Sequence, residues 1–139
     1  MKILIINGPN LAMLGKRESS IYGIKTLDDI NILIKNTFKN HEFSFFQSNE
    51  EGKIINEILN SYESYDGIVI NPGAYSHYSI AILDALKTIN IPTVEVHISN
   101  IYKREEYRRK SITAEGTIGV ISGFGYNSYI LGVMALENL

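Results

Sequence analysis

Glu95 and His97 stand two residues apart in Thr93–Ile98, interleaved with Val94, Val96 and Ile98. In an extended strand alternate side chains share a face, which sets carboxylate and imidazole about 6–7 Å apart along the chain. A carboxylate at that range can orient an imidazole for proton transfer; a buried pair satisfied by the scaffold would read the same way. A second concentration of polar groups lies in Asn7–Gly23, which carries Asn10, Arg17 and Tyr22. Arg17 is a permanent cation and Tyr22 a potential acid or base. Leu11, Met13, Leu14 and Ile21 make this stretch too apolar for a solvated linker. Loops of such length in a compact domain are commonly lids or binding loops.

Three further groups stand near these. Asn71, Ser76 and His77 follow the apolar run Ile68–Ile70, and His77 precedes a helical pattern. Helix N-termini attract anions and hydroxyl-rich ligands, although a histidine there can equally be a surface residue. Asp84 interrupts the apolar run Ala81–Leu86. A carboxylate so placed needs a partner, either an arginine across a subunit interface or solvent. Lys103–Lys110 holds five cations and two anions. Arg104 and Arg108 are four apart, on one face of any helix. The run is either a solvated face or a recogniser of an anionic or polyhydroxylated ligand through guanidinium forks.

Missing motifs narrow the chemistry. There is no phosphate-binding G-x-x-x-x-G-K-[ST] and no G-x-G-x-x-G after the first strand, which argues against nucleoside triphosphates and dinucleotides. The chain has no cysteine and three scattered histidines, so no metal-ligand spacing is visible and no metal is expected. No G-x-S-x-G elbow occurs either. Acid–base chemistry without a cofactor remains. A formal net charge of −2 argues against nucleic acid as a partner. Ile3–Ile6 is too short for a signal-peptide core or a membrane span, and no later run is longer, so a cytoplasmic address is expected.

The elements that must position these groups are legible as a pattern. The chain has 139 residues, with 45% hydrophobic and 20% charged, which suits one globular domain over residues 1–139. Lys2–Ile6, Glu42–Gln47, Ile68–Ile70, Thr93–Ile98 and Thr117–Ser122 read as strands. Helices are expected from Thr26 to about Asn40, after a Ser48–Glu51 capping box, from Ser79 to Ile89 and from Ser128 to Glu137. A short charged helix is expected over Arg104–Arg109. Continuously apolar strands alternating with helices imply a parallel sheet covered on both faces. The expected fold is α/β, a three-layer doubly wound, flavodoxin-like domain with a five-stranded parallel sheet in the order 2-1-3-4-5. Ligands of such sheets bind beyond the carboxyl ends of the strands. Asn7, Asn10, Tyr22, Asn71, His77, His97 and Ser99 all fall there.

Taken together, Asn7-Gly-Pro-Asn-Leu with Leu14-Gly-Lys-Arg17-Glu and Tyr22-Gly, Phe45-Phe-Gln-Ser-Asn49 with Glu51-Gly, Asn71-Pro-Gly-Ala-Tyr-Ser-His77 with Asp84-Ala-Leu, Val94-Glu-Val-His97-Ile-Ser-Asn100 continuing to Arg104-Glu and Arg108, and Gly119-Val-Ile-Ser-Gly-Phe-Gly125 cover nearly the whole chain. In this order they resemble the type II 3-dehydroquinate dehydratases. The resemblance implies a cofactor-free hydro-lyase of the shikimate pathway, turning 3-dehydroquinate into 3-dehydroshikimate through an enolate. It implies Tyr22 as base, His97 as general acid, Arg17 as charge stabiliser and Asn10 as holder of a water at the enolate oxygen. Asn71 with the backbone of Ile98 and Ser99 would bind the substrate carboxylate. His77 and Arg108 would bind its hydroxyls. Glu95 would orient His97, with Arg104 also behind the reacting groups. Asp84 would reach a neighbouring subunit's site, since the family assembles as a dodecamer of trimers. The chain departs from the usual pattern at Ala12, Ser20 and Glu50, none a catalytic position; Ser20 restrains the backbone less than the usual proline. The other class left open is a non-catalytic flavodoxin-like domain for a flavin or another small ligand, which fold alone does not reject.

Overall fold

The computed structural model describes residues 1–16 and 18–139. Five strands form one parallel sheet: β1 Lys2–Asn7, β2 Glu42–Gln47, β3 Gly67–Asn71, β4 Thr93–His97 and β5 Gly119–Ser122. Their order is β2-β1-β3-β4-β5, as the alternation of elements predicts. The helices are α1 Ser19–Tyr22, α2 Leu27–Thr37, α3 Glu51–Asn60, α4 Ile80–Thr88 and α5 Asn127–Glu137.

Alternating strand residues build two cores. Ile3, Ile5, Val69, Val94 and Val96 pack with Ile30 and Ile34 of α2 and with Tyr129, Val133 and Leu136 of α5. Leu4, Ile6, Ile68 and Ile70 pack with Ile54 and Ile58 of α3 and with Ile82, Ala85 and Leu86 of α4. Burying one such side chain contributes about 1.5–3 kcal/mol, so the inner strands are anchored from both faces. At the carboxyl ends, β1 and β3 stay close because Gly8 donates its N–H to Asn71 O at 2.8 Å. A Cβ at Gly8 would sit 2.3 Å from Pro72 O, so no other residue fits there.

Several local expectations need correction. Helix α2 has the anticipated start, with Thr26 and Asp29 forming a reciprocal capping box, but it ends at Thr37. No such box forms at Ser48–Glu51. The N-cap of α3 is Glu50, without a side-chain cap. Ser48 Oγ accepts from Glu50 N, and Glu51 Oε2 instead accepts from Ser79 Oγ at 2.6 Å, tying α3 to the start of α4. The charged run is not one helix. It forms two 3-10 turns, Ile101–Lys103 and Glu106–Arg108, with extended backbone at Arg104 and Glu105 between them. The fifth strand starts at Gly119 rather than Thr117 and lies at the sheet's edge.

Candidate active site

A cleft opens at the carboxyl ends of β1, β3 and β4. Its empty volume is about 660 Å³, mouth included, which suits a small ligand. Asn10, Tyr22, Asn71, His77, His97, Ile98, Ser99, Arg104 and Arg108 all line it. These are nine of the residues that sequence singles out, brought together from positions up to 98 apart.

Glu95 and His97 sit on β4, 0% and 5% exposed. The Glu95 Oε1 to His97 Nε2 distance is 2.6 Å. Rotation of the two side chains toward each other closes the strand spacing to a hydrogen bond. A carboxylate only accepts, so Nε2 carries the proton and Nδ1 is the ring's other functional edge. The carboxylate is itself held. Ser111 Oγ donates to Oε1 at 2.5 Å and Thr113 Oγ1 donates to Oε2 at 2.6 Å. A buried charge needs such partners.

Tyr22 ends the single-turn α1, half-buried at the mouth. Its hydroxyl accepts from Arg104 Nη1 at 2.8 Å, and the guanidinium carbon lies 5.4 Å from the ring centroid. The break between the two 3-10 turns is what lets Arg104 reach across. Arg104 therefore touches the tyrosine directly instead of standing behind the reacting groups. Arg108 also faces the cleft. Its Nε lies 3.0 Å from Glu105 Oε2, a Coulombic contact without hydrogen-bond alignment. The Arg17 position lies outside the described residues.

His77 Nδ1 lies 2.8 Å from Lys110 O. A carbonyl cannot donate, so Nδ1 does, and in the neutral ring Nε2 is an acceptor. Burial lowers the His77 pKa; the Lys110 carbonyl opposes this, and the charges of His97 and Arg108 lower it further. The His77 and His97 rings stack at 6.5 Å. Asn10 adopts a left-handed backbone, φ 67°, which asparagine tolerates better than most residues. Its N–H donates to Asn49 Oδ1 at 3.0 Å, while Gln47 Nε2 donates to Asn49 Oδ1 and Gly8 O. Asn71 gives Nδ2–H to Tyr129 OH and takes the Gly73 N–H on Oδ1.

Asp84 is not brought into the cleft. It lies exposed on α4, on the other side of that helix from the core residues Ile82 and Leu86. Sequence reading missed Ser111, Thr113, Asn49, Glu105 and Tyr129. Asn49 and Glu105 stood in stretches already singled out. Among the described residues no group of three or more His, Cys, Asp or Glu could hold a metal ion, and no helix is long and apolar enough to cross a membrane.

Comparison with known proteins gives a consistent result. A family model described as class II dehydroquinase matches residues 1–137. The 3-dehydroquinate dehydratase of Clostridium botulinum strain Hall is 65% identical over 138 residues, covering 98% of this chain and 94% of the relative. That of Clostridium acetobutylicum is 59% identical over 141 residues, covering 100% and 98%. The crystal structure of a type II dehydroquinase from Butyrivibrio crossotus superposes with a TM-score of 0.96 at 48% identity, covering 99% of this chain and 97% of that one.

Proposed function

The chain belongs to the class II dehydroquinase family, and from that premise we propose how its own residues remove water from 3-dehydroquinate. It is a hydro-lyase that forms 3-dehydroshikimate, a step of the shikimate pathway leading to aromatic amino acids. One catalytic domain over residues 1–139 carries the reaction. Nothing favours the alternative of a non-catalytic flavin or small-ligand domain.

The substrate is a β-hydroxy ketone bearing a carboxylate. Tyr22, its hydroxyl proton first released to solvent, takes as phenolate the proton from the carbon next to the ketone, and the electron pair of the broken carbon–hydrogen bond forms an enolate. Negative charge on the Tyr22 oxygen is met by Arg104, which already donates to that atom at 2.8 Å, and by Arg17. A water held by Asn10 stabilises the enolate oxygen. The enolate then collapses, the carbon–oxygen bond to the β-hydroxyl breaks, and His97 supplies the proton that makes the leaving group water. Glu95 stabilises the His97 imidazolium and fixes the ring. Asn71 and the backbone of Ile98 and Ser99 bind the carboxylate; His77 and Arg108 bind hydroxyls. No lysine imine and no cofactor enters any step.

The observation that carries this reading is that Tyr22, hydrogen-bonded to Arg104, and His97, hydrogen-bonded to the buried Glu95, line one cleft. That is a base with a charge partner in the same cleft as an acid with an orienting carboxylate. Purified protein mixed with 3-dehydroquinate should develop the absorbance of a conjugated enone, before and after exhaustive chelation. No absorbance change would overturn the reading.

The proposal extends to assembly and address. The working form is a homo-oligomer, a dodecamer of trimers, in the cytoplasm. Asp84, exposed and outside its own chain's cleft, is available to a neighbour's. Exposed Ile118, Val120 and Phe124 at the β5 edge are apolar surface of the kind subunit contacts cover.

A further inference from the structure

Among the buried polar groups that the mechanism above does not use is the Tyr129 hydroxyl. Tyr129 of α5 is 0% exposed within an otherwise aliphatic core. It reaches the strand ends because α5 lies tight on the sheet. One turn further on, a Cβ at Gly132 would come within 3.0 Å of Val96 Cγ1 and 3.1 Å of Val69 Cγ1. There the Tyr129 hydroxyl donates to Asn7 Oδ1 at 2.5 Å and accepts from Asn71 Nδ2 at 2.9 Å.

The directions of these bonds are dictated. Gly73 N–H needs an acceptor and finds Asn71 Oδ1 at 3.1 Å, which fixes the carbonyl end of that amide. The amino end must then face the phenol, whose single proton goes to Asn7. One Nδ2 proton is spent on Tyr129, and the second is left for the cleft that Asn71 lines. Without the phenol, the amide would be held by the single Gly73 N–H, and breaking that one bond would let it turn its oxygen toward an anionic ligand and repel it. Burial raises the Tyr129 pKa, so the proton that sets the chain of bonds stays in place.

We propose that Tyr129 is a positioning residue for substrate binding: together with Asn7 it holds the Asn71 amide with an N–H presented to the substrate carboxylate. The proposal rests on the reading of Asn71 as a carboxylate ligand.

The test is steady-state kinetics with 3-dehydroquinate on Tyr129→Phe, Asn71→Ala and the double variant, with folding checked by thermal unfolding. Tyr129→Phe should raise KM by roughly tenfold and leave kcat within about threefold, because a ground-state contact is lost. Asn71→Ala should raise KM at least as much, and adding Tyr129→Phe to it should change KM no further. A purely structural phenol would instead lower the melting temperature with KM unmoved, and that result overturns the proposal, as do losses that multiply in the double variant. An unaltered KM in Asn71→Ala would sink the reading of Asn71 itself, and the proposal with it. Should Tyr129→Phe not fold, Asn7→Ala keeps the phenol but frees its proton. It should show the same KM-selective loss, absent in the Asn71→Ala background, and an unchanged KM in Asn7→Ala alone counts against the proposal.

Discussion

Arg104 Nη1 donates to the Tyr22 hydroxyl at 2.8 Å across 82 residues of sequence. A cation so placed offsets the negative charge that the Tyr22 oxygen must carry, in the proposed mechanism, before it accepts the substrate proton. Arg104→Ala should therefore lower kcat by about 100-fold, the scale of losing one preorganised donor. Arg104→Lys should recover only part of it, since an ammonium lacks the planar fork that reaches the hydroxyl while lying over the ring. Turnover followed by enone absorbance checks both; a wild-type kcat in Arg104→Ala would remove the residue from the reaction.

His97, the proposed acid, lines the same cleft, with its ring held by Glu95 at 2.6 Å. His97→Ala should lose about two to four orders of magnitude in kcat, the usual worth of general acid catalysis, while still binding substrate. Glu95→Gln should lose a similar factor, because an amide can present N–H to Nε2 and reverse the tautomer. Thr113→Val strips a donor from a fully buried carboxylate and should cost about 1–3 kcal/mol of stability by denaturant titration. A loss in His97→Ala that appears only in KM would make His97 a binding residue.

The sheet order was legible because each strand is a short apolar run and each helix shows its own period. The Glu95–His97 pair was legible for the same reason, since strand alternation alone puts both on one face. The arginines show where such reasoning stops. Spacing four suggested one helix face for Arg104 and Arg108, yet the backbone extends at Arg104, ψ −173°, and breaks the run into two turns. No local rule signals that break, which goes with a tertiary contact, Arg104 against Tyr22. Ser111 and Thr113 were invisible for a related reason. Ser111 lies outside any regular element and Thr113 opens a short 3-10 turn, and their partner is a carboxylate 16 and 18 residues earlier. Tyr129 hid in an apolar helix, where an aromatic reads as core.

His77 gives the pH dependence. Its pKa lies below the ordinary 6.5, chiefly because burial penalises the charged ring. Below pH 6.5 the unfolded chain takes up this proton before the folded one does. Stability from this group is therefore full above that pH and falls on acidification, levelling off only below the folded value. Protonation also removes the Nε2 acceptor offered to a substrate hydroxyl. KM should rise as the pH falls below 6.5, and His77→Gln should show a higher KM that no longer varies there. Nitrogen NMR should find the neutral ring protonated on Nδ1, facing Lys110 O. A wild-type KM that is flat from neutral pH into the acid range would contradict the assignment.

Asp84 tests the assembly. It lies exposed on α4 and does not line its own cleft, so any catalytic part it plays must be in a neighbouring subunit. Light scattering at micromolar concentration should give a multiple of the trimer mass, and a monomer would refute the oligomer. Asp84→Ala should weaken both assembly and substrate affinity. A variant normal in both would remove Asp84 from the site.

Tyr22 carries the sharpest expectation. Its hydroxyl, in a residue that lines the cleft, both contacts a guanidinium and can exchange a proton. Tyr22→Phe deletes that oxygen and almost no volume, so the one-turn helix Ser19–Tyr22 and the ring's contact with Arg104 should survive. Loss of the proton acceptor removes the first step of the proposed mechanism. Turnover should fall by at least the two to four orders of magnitude typical for a lost general base. Substrate affinity should stay within a few-fold, because Asn71, His77 and Arg108 still hold the carboxylate and hydroxyls. Calorimetry for binding and enone absorbance for turnover separate the two effects. If Tyr22→Phe binds 3-dehydroquinate and turns it over at the wild-type rate, proton abstraction belongs to another group and the roles proposed for Arg104 and Arg17 fall with it.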